Sequence, residues 1–531
     1  MSEEFDIVVI GAGFSGIYAL HRLKQDYSLI CFEAGDGVGG TWYWNRYPGA
    51  RVDIQSVEYS YSFDKDLEQE WSWPEYFSAQ PDLERYANHV AERHELKDMI
   101  RFSQSVTSLR YDEDANRWHV HTDRGDHVVC RYVIAAVGML YAPNFPDWPG
   151  REDFSGEIIH TTRWPDNPPD FADQRVGIVG TGSTSIQAAP ILAQQAKHLT
   201  VFQRTPAFSM PSGNREMDAE FEQDWKTNYT SRREEILETW GVSSIEYPEK
   251  SALECTPEER EEILEKAWQS KSAFQMMVAF SDVMTDLEAN EIVAEFMRNK
   301  IRQTVDDPET AELLCPRTYP LGSKRLCIDN GYYEMYNRDN VSLVDVRSDP
   351  VAGFTKGGLI TESGTQYDLD VIVLATGFDA ITGSMSQIDI TGRDGQTLKD
   401  KWADGPTSYF GLTIAGFPNL FMIHGPLSPG ALAQMITSGE WQVDHVARMI
   451  DELEQSDYAR IEATEEAERG WAAELDAMAG YSVYAKGDSW YNGKNIAGKK
   501  SGFMVYVGGF PRYRELNVAA IENDYEGYIR S

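Results

Sequence analysis

The sequence predicts an α/β protein made of two Rossmann-like dinucleotide-binding domains, with a helical insertion in the second. Three observations carry this. A β-branched run followed at once by a glycine-rich turn occurs twice, at Phe5 to Gly16 and at Arg175 to Gly182. Each turn leads into a helical stretch and a second strand that ends in a charged residue. Residues 214–315 then break the alternation with long amphipathic patterns. At 531 residues the chain is too long for a single core, so two or more domains are the default expectation.

The first unit opens with FDIVVI (Phe5 to Ile10), which reads as a buried parallel strand. GAGFSG follows, and Gly11, Gly13 and Gly16 allow a tight turn and close approach of backbone N–H groups to a pyrophosphate. FSGIYALHRLKQ reads as a helix and SLICFE as the next strand, ending in Glu33. Glu33 stands 22 residues beyond Gly11, near the spacing at which an acid meets a ribose hydroxyl. This unit is therefore expected to hold a dinucleotide with a free ribose, such as FAD.

The second unit repeats the pattern with RVGIVG, then TGSTSIQAAPILAQQA, then HLTVFQR. Its turn residues are Gly180, Thr181, Gly182, Ser183 and Thr184, and Ser185 stands where a third glycine is expected. Arg204 ends the second strand, 24 residues beyond Gly180. A guanidinium there suits the extra phosphate of NADPH/NADP+, the alternative being an exposed strand-end arginine.

In the insertion, TPEEREEILEKAW starts with Thr256 as N-cap and Pro257 at the first helical position, and TDLEANEIVAEFMRNKIRQ is amphipathic at helical spacing. Phe274, Met276, Met277, Phe280 and Met284 are read as packing residues. YDLDVIVLATGFDA (Tyr367 to Ala380) reads as an apolar strand that returns the chain to the first sheet and brings Gly377 close to the flavin. The expected order is 1–143 (FAD domain, first part), 144–213 (NADP domain, first part), 214–315 (helical insertion), 316–375 (NADP domain, second part) and 376–531 (FAD domain, second part).

Apolar residues at 42% can fill such cores. The start SEEFD lacks the basic and apolar regions of a signal peptide, and no apolar run reaches the roughly 18 residues of a membrane helix. The five cysteines form no CxxC pair and no metal-ligand spacing, which points to a reducing cytoplasm and to no metal site. A net charge of −37 argues against nucleic acid or an anionic membrane as partner. Any anionic ligand must meet a local basic cluster.

Two such folds in one chain suggest disulfide reduction, NADPH dehydrogenation or oxygen insertion, and disulfide reduction falls because no redox cysteine pair exists. FSGEIIHTTRWP (Phe154 to Pro165) fits neither helix nor strand periodicity and reads as a connector. Its Phe154, Gly156, His160, Trp164 and Pro165 match FxGxxxHxxxWP at every fixed position, the fingerprint of the Baeyer–Villiger monooxygenases. GGTWYWNRYPGARVD (Gly39 to Asp53) is similar to a second signature of that family, and RTP, GSKRLCIDNGYY and ATGFDA follow in the family's order. The chain resembles the family over almost its whole length. Ser428-Pro429 in GPLSPGAL makes it look closer to the phenylacetone and steroid type than to the cyclohexanone type.

The resemblance implies an NADPH-dependent flavoprotein monooxygenase in which a flavin peroxide attacks a ketone to give an ester or lactone, with one oxygen atom of O2 inserted. Arg325 would stabilise the peroxide and the oxyanion of the adduct, because a guanidinium stays charged where lysine or histidine need not. Asp53 would hold that arginine, with Arg51 as the local alternative partner. Ser15, Thr41, Trp42, Tyr59 and Val106 match flavin-lining positions, Lys324 and Thr205 join Arg204 at the NADP phosphate, and Trp490 lies in a loop that closes on the nicotinamide cofactor. Met139, Leu140, Ser428, Pro429, Gly430 and Ala431 are the expected substrate contacts. His160 and Trp164 are expected to couple domain movement to cofactor position rather than to transfer protons. Competing readings are an N- or S-oxidising flavin monooxygenase and an NADP-binding redox sensor. A monomer is expected.

Overall fold

The computed structural model describes residues 3–496 and 498–531. An eight-stranded sheet and a five-stranded sheet organise it. In the larger, strand Glu3–Ile10 pairs parallel with Leu29–Phe32 on one side and with His127–Ala135 on the other. Ile7 and Val9 face one apolar cluster and Val8 and Ile10 the other, as expected for a strand buried on both faces. Arg117–Thr122 and Val106–Asp112 extend the sheet as antiparallel strands.

The smaller sheet is wholly parallel, in the order Val341–Asp345, His198–Gln203, Arg175–Val179, Val371–Leu374, Glu157–His160. Two expectations are corrected here. Strand Val371–Leu374 lies between Arg175–Val179 and Glu157–His160 in this second sheet and does not return the chain to the first. Asp389–Thr391 and Leu420–Met422 make that return, pairing with Val106–Asp112 and His127–Ala135. The 154–165 segment is also no plain connector: Glu157–His160 is the edge strand of the second sheet. Only four residues long and paired on one side, it shows no alternation that sequence periodicity could detect.

The inserted helices form where their caps predict. Thr256 closes a capping box on Pro257–Gln269, and Asp286 caps Leu287–Thr304. Their apolar faces do not pack only on the second sheet. Trp225, Met276, Phe280 and Met297 join the same apolar cluster as Ile7, Val9 and Val443, so the insertion bridges to the first unit. Amphipathicity shows that a helix buries a face, and nothing in it says against what. Among the described residues no helix is long and apolar enough to cross a membrane.

Candidate active site

The two glycine turns sit at the carboxyl ends of their sheets' central strands, where ligands enter open α/β folds. Gly11 takes a left-handed φ of +96°, and a Cβ there would fall 2.7 Å from the Ala136 carbonyl oxygen. Gly180 repeats this with φ +106° and a 2.4 Å approach to the Ala375 carbonyl oxygen. Helices Phe14–Leu23 and Ser183–Gln195 start at Gly13 and Gly182 with no side-chain cap. Ser15, Ser183 and Thr184 lie in those first turns. Every inserted helix is by contrast capped by its own Asp, Thr or Ser. Uncapped N–H groups behind glycines with no Cβ form a cradle suited to a pyrophosphate.

Glu33 is buried, and its two oxygens accept hydrogen bonds from the Ala12 and Gly35 amides, both at 2.7 Å. Burial raises its carboxyl above the usual range, and those amides pull it back. The carboxylate is thereby aimed beside the first glycine turn. Thr41 starts helix Thr41–Trp44 and is exposed, while Trp42 Nε1 donates to the Tyr59 hydroxyl at 3.0 Å. Burial pushes the Tyr59 phenol up to about 12, so it stays protonated. Val106 opens strand Val106–Asp112 with its side chain in the cluster of Val8 and Ile10, which leaves its backbone as the part able to reach a nucleotide.

In the second unit Arg204 is exposed at the end of strand His198–Gln203, and the Thr181 hydroxyl donates to the Thr205 carbonyl at 2.5 Å. The Lys324 ammonium is lowered by burial and then by the nearby Arg204 charge. Neither cation has a carboxylate within 4 Å among the described residues. Two adjacent cations without an ion-pair partner among the described residues, in a chain of net charge −37, suit a phosphate, although Asp488 also acts on Lys324.

Arg325 and Asp53 meet where these units join. Nε donates to Asp53 Oδ2 at 2.6 Å and Nη2 to Oδ1 at 2.9 Å, a bidentate pair between residues 272 apart in sequence. Nη1 donates to the Ala431 carbonyl at 3.1 Å. Burial works against the guanidinium charge, and Asp53 more than offsets it, so Arg325 is held protonated beyond its ordinary range. Arg51, the alternative partner for Asp53, pairs with Glu75 at 3.1 Å instead. Two further neighbours line the pair. Phe274, read from the sequence as a packing residue, sets its ring 5.4 Å from the guanidinium carbon, and the buried Tyr491 phenol, not singled out in the sequence and pushed up to about 12 by burial, feels the Arg325 charge. Adjacency to Trp490 was the one available signal for Tyr491.

The remaining residues divide. Met139 approaches Gly430, where an added Cβ would meet its methyl at 2.8 Å, and Leu140 is half-buried beside it. Pro429 and Gly430 are buried, and the Ser428 hydroxyl is spent on the Gly425 carbonyl at 2.7 Å. Ser428 itself is 1% exposed. Trp490 packs on Tyr491 with ring centroids 4.4 Å apart. Its loop is tied down where Lys499 pairs with Asp379 and Asn495 donates to the Phe378 carbonyl at 2.8 Å.

Among the fingerprint residues, a Cβ at Gly156 would fall 2.1 Å from the Asp370 carbonyl oxygen, and Phe154 packs beside it. His160 is buried, with Nδ1 2.9 Å from the Thr162 hydroxyl. Burial lowers its imidazole to about 4, which makes it neutral near pH 7. Trp164 packs on Phe171 beside Pro165, within the second unit's cluster.

A family model described as FMO-like, flavin-binding monooxygenase-like, matches residues 5–239. A Baeyer–Villiger monooxygenase of Pseudooceanicola batsensis is 40% identical over 533 residues, covering 100% of this chain and 97% of that protein. Phenazine N-monooxygenase PhzNO1 of Lysobacter antibioticus is 40% identical over 528 residues, covering 99% of this chain and 97% of that protein. The solved structure of an oxidized steroid monooxygenase bound to NADP superposes with a TM-score of 0.94 at 46% identity, covering 99% of each chain. With paired nucleotide folds, the fingerprint and these full-length likenesses in hand, the chain belongs to the Baeyer–Villiger monooxygenase family.

Proposed function

We propose that this protein is an FAD- and NADPH-dependent monooxygenase that inserts one atom of O2 beside a ketone carbonyl, giving an ester or lactone. The observation that carries the reading is the bidentate Arg325–Asp53 pair at the junction of two nucleotide cradles. FAD, once reduced by NADPH, supplies the oxygen chemistry when bound. The Gly11 to Gly16 turn and Glu33 would hold it, with Trp42 and Tyr59 fixing the wall beside it. Arg204 and Lys324 would take the 2′-phosphate of NADPH.

Arg325 would then stabilise negative charge as it develops on the reacting oxygen atoms. Its proton is never in question, so the stabilisation is available at any working pH. Asp53 holds two of its donors, and the Ala431 carbonyl a third, which fixes the fork in one plane. His160 stays a positioning group, since it is buried and neutral. Five unpaired, buried thiols support a cytoplasmic protein, and we take it to act as a monomer.

N-oxygenation is the second reading, favoured by the 40% identity to a phenazine N-monooxygenase. A panel of linear, aryl, cyclic and steroid ketones, run beside aromatic amines under 18O2, separates the two by product mass. Ester or lactone carrying one 18O is expected, and turnover of amines alone would sink the ketone reading. Arg325→Ala should lower oxygenation about 10²- to 10³-fold while NADPH is still consumed and peroxide released.

A further inference from the structure

The fingerprint segment places one residue across the boundary that its fixed positions do not cross. Arg163, in the turn after edge strand Glu157–His160, sets its guanidinium carbon 4.4 Å from the Trp44 ring centroid and 4.8 Å from that of Tyr141. Trp44 ends helix Thr41–Trp44 in the flavin-side segment, and Tyr141 follows strand His127–Ala135 of the first sheet. The two rings meet edge to face at 5.5 Å, so they present one aromatic corner. Burial lowers the Arg163 guanidinium from its ordinary value, and no carboxylate lies within 4 Å of it among the described residues.

Other links cross the same boundary with different physics. Tyr47 donates to Gln187 at 2.8 Å, and Gln187 donates to the Arg51 carbonyl at 3.1 Å, both directional hydrogen bonds. Arg46 pairs with the exposed Asp166 at 2.8 Å, a contact that water weakens. A cation over ring faces is half-desolvated yet tolerant of sliding, because the attraction varies slowly along the face. Trp44 is also one of the groups that hold the Glu33 carboxylate down, so the contact leads towards the first nucleotide cradle.

We propose that Arg163 is a positioning residue that seats the NADPH-binding sheet against the flavin segment and so sets the pose from which NADPH reduces the flavin. This rests on the function proposed above. The test is anaerobic rapid mixing of FAD-loaded enzyme with NADPH, without ketone, following loss of the oxidised flavin band. Arg163→Met should keep wild-type FAD content and visible spectrum, raise the NADPH concentration for half-maximal reduction about three- to tenfold, and slow reduction at saturation about threefold or more. Arg163→Lys keeps the charge and loses the plane, so it should recover only part of the rate. Trp44→Leu should reproduce the defect, and adding it to Arg163→Met should cost little more. FAD-loaded Arg163→Met with wild-type reduction kinetics would overturn the inference, as would strictly additive effects of the two substitutions. A wild-type flavin that NADPH fails to reduce would sink the functional reading instead.

Discussion

Gly16 in the first unit and Ser185 in the second occupy the same place in two copies of one design, and they are held differently. A Cβ at Gly16 would lie 1.9 Å from the Gly11 carbonyl oxygen, so the first helix begins hard against its own turn. Ser185 is fully buried with its hydroxyl unpartnered, so the second helix starts far enough away to admit a side chain. The ends of the second strands differ as well. Glu33 is buried and gripped by two amides, whereas Arg204 is exposed beside Lys324. The backbone plan sets where a dinucleotide goes, and the charge at the strand end sets which one.

The steric half of this comparison breaks most easily. Gly16→Ala should abolish FAD retention or folding, because backbone rather than a movable side chain stands in the way, whereas Ser185→Gly should cost about 1 kcal/mol or less. Flavin content after purification and thermal melts of both variants check it, and equal tolerance of the two would remove the distinction. The charge half predicts smaller effects. Arg204→Gln should weaken NADPH about 10- to 100-fold and leave NADH nearly unchanged, while Glu33→Gln, which strands one backbone amide, should weaken FAD without altering the NADPH to NADH preference. Steady-state KM values for both nicotinamides and FAD titration of the apoprotein measure this directly.

Confined to acid conditions is a pH effect shared by both units. Burial lowers His160 in the second and His424 in the first to about 4, below the unfolded value of about 6.5. Each therefore contributes stability that is fully present above pH 6.5 and is lost as the pH falls towards 4. The loss should reach about 1.4 kcal/mol per pH unit for each histidine within that window. Melts at several pH values should show the decline, and His160→Asn should flatten part of it.

Much of the fold was legible because its signals are local. A glycine turn needs its glycines within six residues, and an N-cap such as Thr256 acts within its own first turn. Edge strand Glu157–His160 was missed because four residues with one pairing side carry no alternation. Strand Val371–Leu374 was recognised as a strand and assigned to the wrong sheet, since an apolar run says that it is buried and not beside which neighbour. Arg325 and Asp53 were named through resemblance, for no periodicity links residues 272 apart.

What the sequence by itself determined is the pair of nucleotide units and the charge at each strand end, because glycine conformation, strand burial and ribose or phosphate recognition are settled over a few tens of residues. Tertiary structure decided between the two open partners for Asp53, giving it Arg325 while Arg51 pairs with Glu75, and it alone showed that the inserted helices pack into the first unit's core and that Arg163 lies over the Trp44 and Tyr141 rings. Each depends on segments distant in sequence being packed together, which no local pattern specifies.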